Sequence, residues 1–163
     1  MKKVILSFLI AATFFSCNMN VISSEFREIS SAGWHKDSVF SFDFTITDTL
    51  ATYEIVIMTR NTDEFPRQNL WIGTELVKES KTLLTDSANL YLSNDYGKWR
   101  GRGKWWLGRG VGSYFDNEFT YKDNVTFYKS GKYTYNLRHI MRFEELKGLR
   151  YAGLKILKEK KKN

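Results

Sequence analysis

Phe40, Phe42, Phe44 and Ile46 alternate with Ser41, Asp43, Thr45 and Thr47. Side chains of an extended chain point to opposite faces in turn, so this period of two sets four apolar groups on one side of a strand and four polar groups on the other. No stretch repeats apolar residues at helical spacing over the length that a globular helix usually needs. A chain with these two properties must bury its apolar strand faces against one another, which makes it all-β.

Further runs follow the same pattern. Tyr53, Ile55 and Ile57 alternate against Thr52 and Glu54, with residues 48–51 as a turn, so this run and the first are expected to be antiparallel neighbours. A third strand is expected at residues 69–78. Residues 81–92 form a weaker segment, closed by a turn at Asn94, Asp95 and Gly97. Residues 114–121 and 125–128 read as two short aromatic strands. Tyr133, Tyr135, Leu137, His139 and Met141 share one face of another strand after the turn at Ser130 and Gly131. Residues 149–157 are the last, reached through one helical turn at 143–147. The single proline, Pro66, falls between strands, where its missing N–H breaks no ladder. Seven to nine short strands separated by Gly, Asn and Asp turns predict an antiparallel β-sandwich of jelly-roll type.

Cys17 is the sole cysteine. It follows Met1, Lys2 and Lys3, an apolar run at residues 4–15, and the small Ser16. A charged start, a short apolar run and a small residue before the cut make a secretory signal. The run falls short of the about 20 apolar residues that span a bilayer. The arrangement resembles bacterial lipoprotein signals, whose cysteine becomes the acylated first residue; an ordinary signal peptide with a buried Cys17 is the alternative. The expected organisation is a signal at 1–16, a tether at 17–33, a sandwich at 34–157 and a basic tail at 158–163. Acylation of Cys17 would leave no thiol for disulfides or catalysis, so stability must come from packing. The chain has 42% hydrophobic and 16% aromatic residues, enough for that core.

The net charge of +7 resides mostly at the ends: Lys2 and Lys3 lie in the signal, and five lysines against Glu159 in residues 155–163. The body between them is nearly neutral, which argues against nucleic acid as a partner. The run at 158–163 is simplest as a solvated terminus, with lipid headgroups as the alternative contact.

Residues 97–112 hold six glycines, Trp99, Trp105 and Trp106, and five basic residues including Arg100 and Arg102. One reading has Trp99, Trp105 and Trp106 stacking on a ring while Arg100 and Arg102 hold an anion. The favoured reading is structural, with glycines permitting bulges and a hairpin and tryptophans covering the core. Gly108, Gly110 and Gly112 precede no helix, so no phosphate loop forms. His139, on an apolar strand face, reads as a hydrogen-bonded core histidine, and His35 as an exposed loop residue. No nucleophile elbow and no zinc spacing occurs, so neither cofactor nor metal is expected. Carboxylates brought together by two strands are left open as a minority, enzymatic reading.

Arg60 ends a strand, Phe65, Pro66, Arg67, Gln68, Asn69 and Leu70 form a turn, Gly97, Lys98, Trp99 and Gly101 follow, and Met141, Arg142, Gly148, Leu149 and Gly153 close the set. In order and spacing these residues resemble the gliding-motility lipoprotein GldH family, from the lipid-acceptor cysteine to about Ile156. The resemblance implies an envelope lipoprotein of gliding bacteria, needed for surface motility and working with other motility and type IX secretion proteins. It implies no catalytic residues. Arg67 stands where the likeness leads one to expect an aromatic residue. Asn18, Met19 and Asn20 carry no acidic export signal, which places the expected protein on the outer membrane facing the periplasm. The expected function is that of a tethered binding or scaffolding protein without an enzymatic step. A carbohydrate-binding module is the alternative, to be told apart by whether the tryptophans are exposed in a groove or buried.

Overall fold

The strand at Phe40–Ile46 (β3) buries Phe42, Phe44 and Ile46 and exposes the residues between them, as the alternation requires. Its partner is not the next strand in the chain. β3 pairs with Gly131–His139 (β9), which pairs with Asn69–Lys78 (β5), which in turn pairs with Lys81–Tyr91 (β6), giving the order β3-β9-β5-β6. Tyr53–Thr62 (β4), expected beside β3, instead lies in the opposite sheet. There it sits between Leu149–Lys158 (β11) and Tyr114–Val125 (β8), in the order β1-β11-β4-β8-β7, with β1 at Val21–Glu28 and β7 at Arg102–Gly103. The chain between β3 and β4 thus crosses from one sheet to the other. Trp34–His35 (β2) and Glu145–Leu146 (β10) form a separate short pair.

These assignments come from a computed structural model that describes residues 20–103 and 114–159. Cys17, Trp105, Trp106 and residues 160–163 lie outside the described residues. Numbered in chain order, the eight strands of seven residues or more form sheets 1-8-3-6 and 2-7-4-5, all antiparallel. That is the order of a jelly roll, two sheets facing each other across one core.

The core is built from the inward rows of both sheets: Phe42, Leu70, Ile72, Tyr135 and Leu137 from one, Tyr53, Ile55, Ile57, Leu154 and Ile156 from the other. Rings join at one end, where Phe127 meets Tyr133 edge-on at 4.9 Å and Phe44 stacks on Tyr133 at 5.8 Å. Such offset and edge contacts add to the area term of burial.

Several expectations need correction. The polar stretch from Val21, expected within a tether, forms β1 along the edge of the larger sheet, and Ile29 and Trp34 beyond it are buried in the core. An edge strand is held by backbone pairing, so its side chains need no strict alternation. The weak segment at 81–92 is a full strand, β6. It is joined to β5 by Glu79 and Ser80, whose φ angles of 50° and 61° make the two-residue turn that suits a twisted hairpin. The two runs expected at 114–121 and 125–128 merge into β8, which ends at Val125. Residues 143–147 contain the short strand β10 in place of a helical turn, and no helix occurs among the described residues. Lys158, expected in the tail, closes β11 and donates to Asp48 at 2.7 Å.

Candidate functional site

The outward row of the larger sheet carries an unusual set of side chains. Its register aligns Tyr151 of β11, Arg60 of β4, Asp116 of β8 and Arg102 of β7 across four strands. The adjoining row aligns Phe26 of β1, Gly153, Met58 and Glu118. Between the rows lies an open cleft of about 510 Å³. Gly153 lies tightly packed in that row: a Cβ there would stand 2.8 Å from the Phe26 ring, 3.2 Å from the Met58 methyl and 2.5 Å from the Glu25 carbonyl. Phe26, half exposed, meets Tyr151 edge-on at 6.4 Å and forms one wall.

Arg60 is fixed within this cleft. Its Nε donates to one carboxylate oxygen of Asp116 at 2.5 Å and a terminal nitrogen donates to the other at 2.9 Å. The planar guanidinium fork matches a carboxylate in this way, so orientation is set as well as distance. The same group lies 4.4 Å from the Tyr114 ring centre and 5.3 Å from that of Tyr151, where ring faces attract cations. The Asp116 hydrogen bond raises the arginine's pKa further, so the group stays charged. Glu118 accepts from Lys155 at 2.7 Å beside it. Arg102 is exposed at the far rim.

Buried polar groups hold the cleft from below. Asn117 donates to Asn61 at 2.9 Å, and Asn61 donates to the Thr62 carbonyl at 3.1 Å. The Thr62 N–H donates to Gly148 at 2.8 Å. Gly101 and Gly148, singled out in the sequence, have φ of +87° and +81°, and a side chain on either would overlap backbone: the Asp116 carbonyl for Gly101 and the Phe65 Cα for Gly148. Gly97, at +74°, meets nothing within 4 Å and serves a turn organised by the Asn94 side chain.

The other sequence candidates divide. Trp99 is half-buried between Phe65 and Phe115, at 6.4 and 6.0 Å. Arg100 is exposed. Trp105 and Trp106 lie outside the described residues. Leu70 is core and Pro66 is exposed. Asn69 donates to Asn89 at 2.7 Å, and the Met141 sulfur accepts the Trp71 N–H at 3.3 Å, both on the smaller sheet. Arg142 is exposed next to Met141. His139 is 2% exposed and bonded through Nε2 to the Trp34 carbonyl at 2.8 Å; burial pushes its pKa below the ordinary value. His35, expected to be exposed, is half-buried.

Asp116, Tyr114, Tyr151 and Phe26 were missed by sequence reasoning. The available signal was Arg60, an arginine ending an apolar strand and so in need of a carboxylate. Which carboxylate it finds depends on strand order.

The family profile described as GldH lipoprotein matches residues 21–156. A gliding motility lipoprotein GldH homolog from Christiangramia forsetii is 29% identical over 152 residues, covering 89% of this chain and 88% of that protein. Gliding motility lipoprotein GldH of Flavobacterium johnsoniae is 26% identical over 155 residues, covering 91% of each. The crystal structure of the infectious bursal disease virus VP2 subviral particle matches at a TM-score of 0.32 and 11% identity, over 84% of this chain and 30% of that one, and is too distant to carry an argument. With the profile spanning nearly the whole jelly roll from β1 to β11, the chain belongs to the GldH family of gliding-motility lipoproteins.

Proposed function

We propose that the protein is a docking component of the gliding apparatus and its associated type IX secretion machinery, held on the periplasmic face of the outer membrane through acylated Cys17. It works by binding, with no catalytic step of its own. One observation carries this reading: the outward cleft of the larger sheet presents Arg60 already fixed by Asp116 between two tyrosine rings. Arginine and tyrosine are enriched among the residues that dominate binding energy. A side chain held in place before docking loses less freedom when the partner arrives. The lipid supplies location, and the several acyl chains usual on bacterial lipoproteins give the lasting anchorage that one chain does not.

The test uses cells that depend on this protein for spreading. Cys17→Ala is expected to release the protein from membranes and abolish spreading. Arg60→Ala is expected to remain folded and membrane-bound yet fail to spread, and to lose crosslinks to motility or secretion components. Full spreading by an Arg60→Ala, Phe26→Ala double variant would overturn the docking role of this cleft. Recovery of peptidoglycan or polysaccharide in place of envelope proteins would favour a glycan-binding module.

A further inference from the structure

The smaller sheet presents a second surface, on the outward side facing away from the Arg60 cleft. β5 places Trp71 outward, 41% exposed, and the register sets Asn89 of β6 opposite it and Tyr91 opposite Asn69. Tyr91 is 56% exposed, and the Asn69–Asn89 hydrogen bond spans the diagonal between the two rings. On the other side of Trp71 the β5–β9 ladder ends: the Ile140 N–H donates to the Trp71 carbonyl at 3.0 Å, and the Trp71 N–H donates to the Met141 sulfur. This fixes Ile140, 44% exposed, and Met141 against the tryptophan. Beyond them Arg67 lies 5.5 Å over the Phe143 ring, and Arg142 is exposed. A trough of about 360 Å³ runs between these groups.

Two features say what occupies the trough. Its walls combine one indole, an isoleucine, a methionine and the Phe143 ring with Arg67 over its face, so it suits bulky aliphatic or aromatic side chains. Met adapts its shape to such partners. Its rim carries two guanidinium groups, and among the described residues no carboxylate is paired with either. A positive rim around an apolar centre selects a partner of opposite charge and steers its approach.

We propose that Trp71, Ile140, Met141, Arg67 and Arg142 form a docking surface for an acidic segment of a partner protein, one that sets carboxylates beside a bulky apolar side chain. The inference rests on the reading of the protein as a docking component and adds a second face with its own partner chemistry. Arg67, where the likeness leads one to expect a ring, then acts through charge.

The experiment replaces Trp71, and separately Phe26, by the photocrosslinker p-benzoyl-phenylalanine in the full lipidated chain, irradiates intact cells and identifies the captured peptide by mass spectrometry. Capture at position 71 is expected from a segment with Asp or Glu beside Leu, Ile or Phe. It is expected to fall at least tenfold when Arg67→Glu and Arg142→Glu are combined, while capture at position 26 is unchanged. Should the charge-reversed variant melt early, Arg67→Gln with Arg142→Gln takes its place, with a smaller loss of capture expected. Capture that is insensitive to both pairs, or of a basic segment, a second copy of this chain or a glycan, overturns the proposal. Capture at position 26 but not at 71 sinks this surface alone; capture at neither sinks the docking reading with it.

Discussion

Asn117 donates its side-chain N–H to the side-chain oxygen of Asn61 at 2.9 Å, in a pair that water barely reaches. The two residues sit on β8 and β4 directly beneath the Arg60 cleft. A buried acceptor left without a donor costs about 1–3 kcal/mol, more than the net worth of the bond itself. Asn117→Ala should therefore lower stability by about 1–3 kcal/mol in urea unfolding. The double variant with Asn61→Ala should cost less than the sum of the two singles, since the second change removes the stranded acceptor.

Gly101 and Gly97 provide a matched comparison. Both have positive φ, but only Gly101 is pressed against backbone, at the Asp116 carbonyl. Gly97→Ala should cost about 1–2 kcal/mol, the ordinary penalty for a side chain in left-handed conformation. Gly101→Ala should cost clearly more and should also displace Asp116 from Arg60. Thermal melts of the two variants side by side would check the order, and equal losses would mean that the contact yields.

Arg60 allows stability and function to be separated. The Arg60–Asp116 pair is well formed but 34% and 47% exposed, so solvent screens it. Removing it should change stability by less than about 1 kcal/mol. Arg60→Met is expected to melt near the parent and to abolish spreading. A large fall in melting temperature would instead assign Arg60 a structural role.

A network between the sheets predicts the pH range of stability. Lys122 donates to Asp86 at 2.6 Å, the Ser87 N–H and the Tyr121 hydroxyl donate to it as well, and together they hold its pKa down to about 2. Tyr121 is pushed up to about 12, first by burial and further by the Asp86 carboxylate to which its hydroxyl donates, against an opposing hydrogen bond with Thr74. The unfolded carboxylate takes up protons near its ordinary value and the folded one does not. Its contribution is therefore full above about pH 4 and lost as pH falls toward 2. The folded phenol holds its proton longer than the unfolded one, so its contribution is full below about pH 10 and lost as pH rises toward 12. His139 adds to the acid side: burial lowers its pKa, so it stabilises fully above about pH 6.5 and less as pH falls through that range. Asp86→Asn should flatten the stability curve between about pH 4 and 2, and Tyr121→Phe the alkaline limb. Unchanged limbs in urea titrations at these pH values would discard the network as their source.

How far the sequence could be read depended on where each element's information resides. The alternation from Phe40 to Ile46 shows in side-chain type, and the buried face follows from it directly. So does the core placement of His139, on the face of Tyr133, Tyr135 and Leu137. β1 and β6 were underestimated because edge strands are held by main-chain bonds on one side, and their exposed residues leave the side-chain pattern weak. The antiparallel pairing of β3 with β4 was expected from adjacency, whereas β3 binds β9, some 90 residues later. Period two tells which way a side chain faces, and it is silent about which strand lies alongside.

The sequence by itself determined the all-β class and the apolar faces of its strands. These rest on local periodicity and residue chemistry. Only the tertiary structure decided that Arg60 meets Asp116, that Phe26 and Tyr151 wall the same cleft, and that Trp71 gathers Met141 and Arg142 on the opposite sheet. Each of those contacts joins strands far apart in the chain. Their juxtaposition follows from the order in which a jelly roll folds its strands into two sheets, and no local pattern encodes that order.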